Sequence, residues 1–181
     1  MGSKEMNELA HMGDVLAMHA RLHPDKIGAR DLEREMSFRT WNARATRLAN
    51  ALLGIGLSKG DRICVLAYNC VEWLEIYAAV AIAGLVVVPI NFRFVGPEIR
   101  YIVGNCEARA LIIQDELLDI VDSTRSELPV PATNYIVFGG ARITGYRDYE
   151  ELIAQARESR PDTVVASEDP WTLMYLSLIH I

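Results

Sequence analysis

Along this chain the hydrophobic and polar positions switch repeatedly between two periods. Trp41, Ala45, Leu48, Ala49, Leu52 and Leu53 recur at helical spacing and stop at the glycines of "GIG", which predicts an amphipathic helix with a glycine end. "ICVLAYN" is a short unbroken apolar run, the pattern of a strand buried on both faces. "CVEWLEIYAAVAIAG" predicts a buried helix capped by Asn69, and "LVVVPIN" predicts the strand after it. In "VGPEIRYIVGNC", Pro97 suits a first helical turn, and Ile99, Ile102, Val103 and Cys106 make the apolar stripe. "ALII" and "NYIVF" predict further strands, separated by a helix over 116–127 and by the breakers Pro129 and Pro131. Asp148 and Glu151 have capping-box spacing at the head of "YEELIAQARES". At the front, "KIGARD" and "REMSF" read as two short strands around a charged turn. At the back, a polar linker over 159–168 and a turn at Asp169-Pro170-Trp171 lead into a buried strand, Thr172–Tyr175.

Strands alternating with helices over short connections specify an α/β fold, a mostly parallel sheet flanked by helices. In such sheets ligands bind beyond the carboxyl ends of the strands. The residues that follow each strand are therefore the places to look for chemistry.

Composition narrows the reading. With 181 residues, 51% hydrophobic and 23% charged, the chain is one ordinary globular domain or a piece of a larger one. A net charge of −6 and the lack of a basic block argue against nucleic-acid binding. Cys64, Cys70 and Cys106 are scattered, without metal-ligand spacing, and fit buried thiols in a reduced, cytoplasmic setting. His11, His19 and His23 could share one helical face, but no acidic or thiol ligand joins them and Pro24 ends that helix, so packing or solvated roles are expected and no metal site. The uncharged run Ile76–Phe92 falls short of the roughly 20 residues a bilayer needs. Gly84 and Pro89 interrupt it, so it reads as helix, stop and strand with no transmembrane segment. No secretory signal or transit pattern precedes the first helix.

One ordered series of features goes further. It comprises the Ser37-Phe38 lead-in to an amphipathic helix, "GDRICVL", the "N..E" of Asn69 and Glu72, the "AG…VP.N.R" of Ala83 to Arg93, "EI.Y" at Glu98 to Tyr101, and "DPWTLMY". This series, over about residues 14–175, resembles the N-terminal part of the adenylate-forming (AMP-binding) acyl-CoA synthetases, fatty-acid–CoA ligases among them. "PINFRF.GPEI.YI" is closer to bacterial acyl-CoA synthetases than to amino-acid adenylation domains, which more often have aspartate where Asn91 stands.

The resemblance implies a reaction. A carboxylic acid attacks the α-phosphorus of ATP, pyrophosphate leaves, and the acyl-adenylate then passes its acyl group to the thiol of coenzyme A. It implies ATP, Mg²⁺ and coenzyme A as the full-length enzyme's cofactors, and a carboxylic acid, of fatty or related type, as its substrate. It also implies that Arg93, just past a strand end, helps hold the nucleotide phosphates of coenzyme A, as the arginine of this stretch does in some coenzyme A ligases; the alternative is a surface arginine paired with a nearby carboxylate such as Glu98. Asn69 and Glu72 are expected to fix a helix, not to touch ligand.

In the family, the strand matching Thr172–Tyr175 delivers a loop of the form Ser/Thr-Ser-Gly-Ser/Thr-Thr-Gly followed by Pro-Lys-Gly. Here Leu176-Ser177-Leu178-Ile179-His180-Ile181 stands there, and only Ser177 matches. Branched side chains replace glycines whose positive φ and close approach a phosphate loop requires. Residues 1–175 therefore read as the truncated N-terminal α/β part of a ligase domain, and 176–181 as a non-native tail in place of the loop. No catalytic residue is assigned, tight cofactor binding is not expected, and the chain alone should lack ligase activity. The competing reading is a complete, non-catalytic α/β domain that binds a nucleotide or a partner protein. A fragment would expose apolar surface and dimerise or aggregate, whereas a complete domain would be a clean monomer.

Overall fold

The computed structural model describes residues 11–140 and 142–176, which divide into two compact units. The first unit takes the chain up to Gly60, Asn69–Leu85 and Glu151–Trp171; the second takes Asp61–Tyr68, Val86–Glu150 and the chain from Thr172.

The first unit opens with α1 (Met12–Leu22) and a two-stranded antiparallel hairpin, β1 (Ile27–Arg30) with β2 (Glu35–Ser37). α2 (Phe38–Gly54) follows directly, because Ser37 leaves the strand as an N-cap whose Oγ accepts from the Thr40 amide at 3.2 Å. Ala45, Leu48, Ala49 and Leu52 are buried, as the helical period predicts. α3 (Glu72–Ala83) is apolar nearly all round and buried from Ile76 onward apart from Tyr77. It stops at Gly84, whose φ of 68° is left-handed and whose amide returns to the Val80 carbonyl.

The cap of α3 differs from the sequence expectation. Val71, not Asn69, is the N-cap residue, and it offers no side-chain bond. Asp31 from the β1–β2 turn accepts the Val71 amide at 3.1 Å. A carboxylate brought in by the tertiary fold thus serves the electropositive helix end in place of a local asparagine.

The second unit is a five-stranded parallel sheet in the order β4-β3-β5-β6-β7, with β3 (Arg62–Leu66), β4 (Val86–Ile90), β5 (Ala110–Gln114), β6 (Tyr135–Phe138) and β7 (Arg147–Asp148). Ile63–Leu66 and Ala110–Ile113 are fully buried, the condition that makes parallel strands read as continuous apolar runs. Pro89 has no amide to give, and its strand β4 is one of the two edge strands of the five. α4 (Gly96–Asn105), with Pro97 in its first turn, packs Ile99, Ile102 and Val103 into one cluster with Cys64, Leu66, Val88 and Leu111. α6 (Tyr149–Gln155) follows β7. The fold class is the expected one, a mostly parallel sheet with flanking helices.

Two elements depart from expectation. The helix over 116–127 is broken into a 3₁₀ turn at Asp115–Leu117, α5 (Leu118–Asp122) and a second 3₁₀ turn at Arg125–Glu127. Ser123 Oγ donates to the Ile120 carbonyl at 2.7 Å, the back-bonding by which serine competes with helix continuation. Thr172–Tyr175 is not a buried strand. It touches β4 through one parallel bridge, Thr172 to Val87, and its Leu173 and Met174 are exposed. Residues 177–181, most of the presumed tail, lie outside the described residues.

Candidate functional site

All five strands of the second unit run parallel, so their carboxyl ends share one edge. Four short segments meet that edge: Ala67-Tyr68 after β3, Asn91-Phe92-Arg93 after β4, Gln114-Asp115 at the end of β5, and Gly139-Gly140 after β6.

Each segment is held by its own backbone chemistry. Asn91 Oδ1 accepts the Arg93 amide at 3.0 Å and the Asn91 carbonyl accepts the Phe94 amide at 2.9 Å, a tight Asx turn that throws Phe92 and Arg93 outward. Gln114 Oε1 accepts the Tyr68 amide at 2.9 Å and ties the ends of two neighbouring strands together. The Tyr68 and Phe92 rings meet edge to face at 5.0 Å, and the Arg93 guanidinium lies 5.5 Å from the Phe92 ring centre. Gly139 has a φ of 117°, and a Cβ there would collide with the Asp115 carboxylate, so this turn admits only glycine.

Arg93 is the one cofactor-binding candidate from the sequence, and it sits on this edge. Its guanidinium is exposed and makes no ion pair among the described residues. The Glu98 pairing considered as the alternative is not formed: Glu98 Oε2 instead accepts the Val95 amide at 2.9 Å and caps α4. An unpaired cation beside two accessible aromatic faces can take a phosphate together with a planar base. Tyr68 and Phe92 are the edge residues that the sequence reading passed over. The signal for both was present, an aromatic within two residues of a predicted strand end.

The other candidates have structural roles. Glu72 is buried and accepts from Arg34 Nη1 and Nη2 at 2.6 and 2.8 Å. Burial raises its carboxyl pKa, but the Arg34 hydrogen bonds and charge, together with a backbone amide and the Cys70 thiol, outweigh that and hold it below its usual value. His11 Nδ1 accepts the Gly13 amide at 3.1 Å and caps α1, and the His19 ring stacks on Phe38 at 5.0 Å. Among the described residues no three His, Cys, Asp or Glu side chains converge as metal ligands. No helix of the described residues is long and apolar enough to cross a membrane. A groove of about 510 Å³ in the first unit is lined by residues of α2 and the 152–157 segment, but the Asn50 amide there is already spent on the Thr46, Arg157 and Ser159 carbonyls.

Comparison with known proteins agrees with this geometry. The family model described as "AMP-binding enzyme" matches residues 16–177. Indoleacetate–CoA ligase of Aromatoleum aromaticum is 30% identical over 167 residues, covering 92% of this chain and 32% of the relative. A long-chain-fatty-acid–CoA ligase of Thermus thermophilus is 32% identical over 157 residues, covering 84% of this chain and 29% of that protein. A crystal structure of an anthranilate CoA ligase in complex with anthranoyl-AMP superposes with a TM-score of 0.88 at 27% identity, covering 98% of this chain and 34% of that one. The chain thus spans about a third of the length of these relatives. A parallel sheet in this strand order, the ordered motifs along it and a family match over 162 residues have one common explanation: the chain belongs to the AMP-binding enzyme family.

Proposed function

We propose that this chain is the N-terminal portion of an ATP-dependent acid–CoA ligase that acts on a fatty or related carboxylic acid in the cytoplasm. The observation that carries the reading is the match to acid–CoA ligases along nearly the whole chain, with the carboxyl edge of the sheet left open. When bound, ATP supplies the activation: the acid's carboxylate oxygen displaces pyrophosphate to give an acyl-adenylate. The coenzyme A thiol then displaces AMP.

In this reading Arg93 holds a phosphate of coenzyme A, and the Tyr68–Phe92 pair offers the adenine a stacking face. The turn at Asn91 aims the guanidinium before any ligand arrives, which limits the ordering that binding would otherwise cost. The chain by itself does not catalyse acyl activation, because Leu176–Ile181 cannot cradle a phosphate. The exposed Leu173, Met174 and Leu176 favour self-association of the isolated chain into a homodimer.

The first test is to sequence the source DNA across the Tyr175 codon. The reading expects a Ser/Thr/Gly-rich loop followed by Pro-Lys-Gly. A stop directly after codon 181 would overturn it. In the extended enzyme, Arg93→Ala should raise the KM for coenzyme A about tenfold or more, the value of one charged hydrogen bond, and leave acid-dependent ATP–pyrophosphate exchange unchanged. An unchanged KM would remove Arg93 from the coenzyme A site.

A further inference from the structure

The second unit holds a pair of thiols that the proposed ligase chemistry does not use. Cys64 lies in the middle of β3, with 0% of its surface exposed. Cys106 closes α4 and is 5% exposed. Their sulfur atoms are 3.6 Å apart, across 42 positions of sequence. Both belong to the same apolar cluster, against which Tyr175 also packs. The third cysteine, Cys70, belongs to the first unit.

The pair is asymmetric. The hydrogen bond from Cys64 lowers the Cys106 pKa; burial opposes this, while the Ala108 amide and the Arg62 guanidinium support it. The same hydrogen bond, with burial, raises the Cys64 pKa. The Cys106 thiol can donate to the Val103 carbonyl at 3.7 Å, and either sulfur of the pair can donate to the other. The Arg62 Nε also donates to the Cys106 carbonyl at 2.6 Å and fixes the backbone that carries this sulfur. Cys70 has no such partner. Burial, then its neighbour Glu72, push its pKa up to about 12.

We propose that Cys64 and Cys106 form a dithiol oxidation site for small hydroperoxides, closing to an intramolecular disulfide. The Cys106 sulfur attacks one peroxide oxygen and the O–O bond breaks. The leaving oxygen departs as water or an alcohol, carrying the Cys106 proton, and a sulfenic acid remains. The Cys64 sulfur then attacks the Cys106 sulfur. The S–O bond breaks, and hydroxide leaves with the Cys64 proton as a second molecule of water. Two thiols are oxidised by two electrons and one hydroperoxide is reduced. The sulfurs must close from 3.6 Å to the bonded distance of about 2.05 Å. Burial of both sulfurs restricts the oxidant to a small neutral hydroperoxide and excludes a charged tripeptide disulfide. Disulfides that form in a reducing compartment are usually transient ones of this kind.

The test exposes the folded 181-residue chain to hydrogen peroxide, quenches with iodoacetamide under denaturing conditions, and maps the digest by mass spectrometry. The expected product is a peptide pair joined through Cys64 and Cys106, lighter by two hydrogens and separated by dithiothreitol, with Cys70 alkylated. Cys70→Ser should form the same bridge, and Cys106→Ser should leave Cys64 fully alkylated after the same exposure. Equal alkylation of Cys64 and Cys106 before and after peroxide would overturn the proposal. So would a bridge that includes Cys70 or joins two chains.

Discussion

Glu75 offers the sharpest test of how the first unit is held. It sits in α3 with 2% of its side chain exposed, and Arg44 of α2, at 27%, grips it with two hydrogen bonds, from Nε to Oε1 and from Nη2 to Oε2 at 3.1 Å. Truncating Arg44 to alanine leaves a buried carboxylate without its guanidinium. Breaking a buried pair from one side costs about 3–5 kcal/mol, because the remaining charge has lost its solvent and its counterion together. The neighbouring pair supplies the control. Arg34 also holds Glu72 with two hydrogen bonds, from Nη1 and Nη2, but 52% of its side chain lies in solvent, so water can fill the vacated place and Arg34→Ala should cost only about 1–3 kcal/mol. Replacing both partners of the buried pair, Arg44→Met with Glu75→Leu, should restore stability to within about 1 kcal/mol of the parent, since no charge is left stranded. Urea unfolding followed by tryptophan fluorescence reads this directly, because Trp41, Trp73 and Trp171 all lie in the unit that contains both pairs. The reasoning fails if Arg44→Ala costs no more than Arg34→Ala, or if the double replacement is as damaging as the single one.

Other perturbations follow from single contacts. Gly84→Ala should lower the urea midpoint by the equivalent of about 1–2 kcal/mol, because its φ is 68° and a Cβ would press on Lys59 and Val165 at 3.1 Å. Asp31 has its pKa lowered to about 2 by the Glu33 and Arg34 amides, with the Val71 amide and the Arg34 charge adding to this against burial. With a folded pKa below the unfolded value, its stabilisation is present above about pH 4 and lost as pH falls towards 2. A thermal-midpoint profile should therefore lose part of that acid slope in Asp31→Asn. Ser37→Ala should cost about 1 kcal/mol for its cap on α2, while Asn69→Ala, which caps nothing, should leave the midpoint within error of the parent.

The strands and long helices were legible because their signal is local. Ile63 to Leu66 must be apolar at every position if both faces of a parallel strand are covered, and no other short element demands that of consecutive residues. The stop at Gly84 was legible for the same reason, since a left-handed residue at a helix end needs glycine whatever surrounds it. Arg93 was legible as a candidate because a parallel sheet fixes where its strands end, and the resemblance gave that position a use.

What the sequence hid was pairing across distance. The cap of α3 comes from 40 positions upstream, and the aspartate that supplies it sits in a turn whose own amides it also binds. Asn69 carried the right chemistry for a cap, but a local preference of about 1 kcal/mol is decided by what the fold brings to the helix end. Here the fold brings a full carboxylate, with Arg34 beside it to clamp Glu72 in the first turn. The same holds for Cys64 and Cys106. In the sequence they are two apolar-looking residues with no ligand spacing, because Cys64 takes its place from strand alternation and Cys106 from a helix stripe. Only the packing of α4 on the sheet turns two unrelated positions into one chemical site.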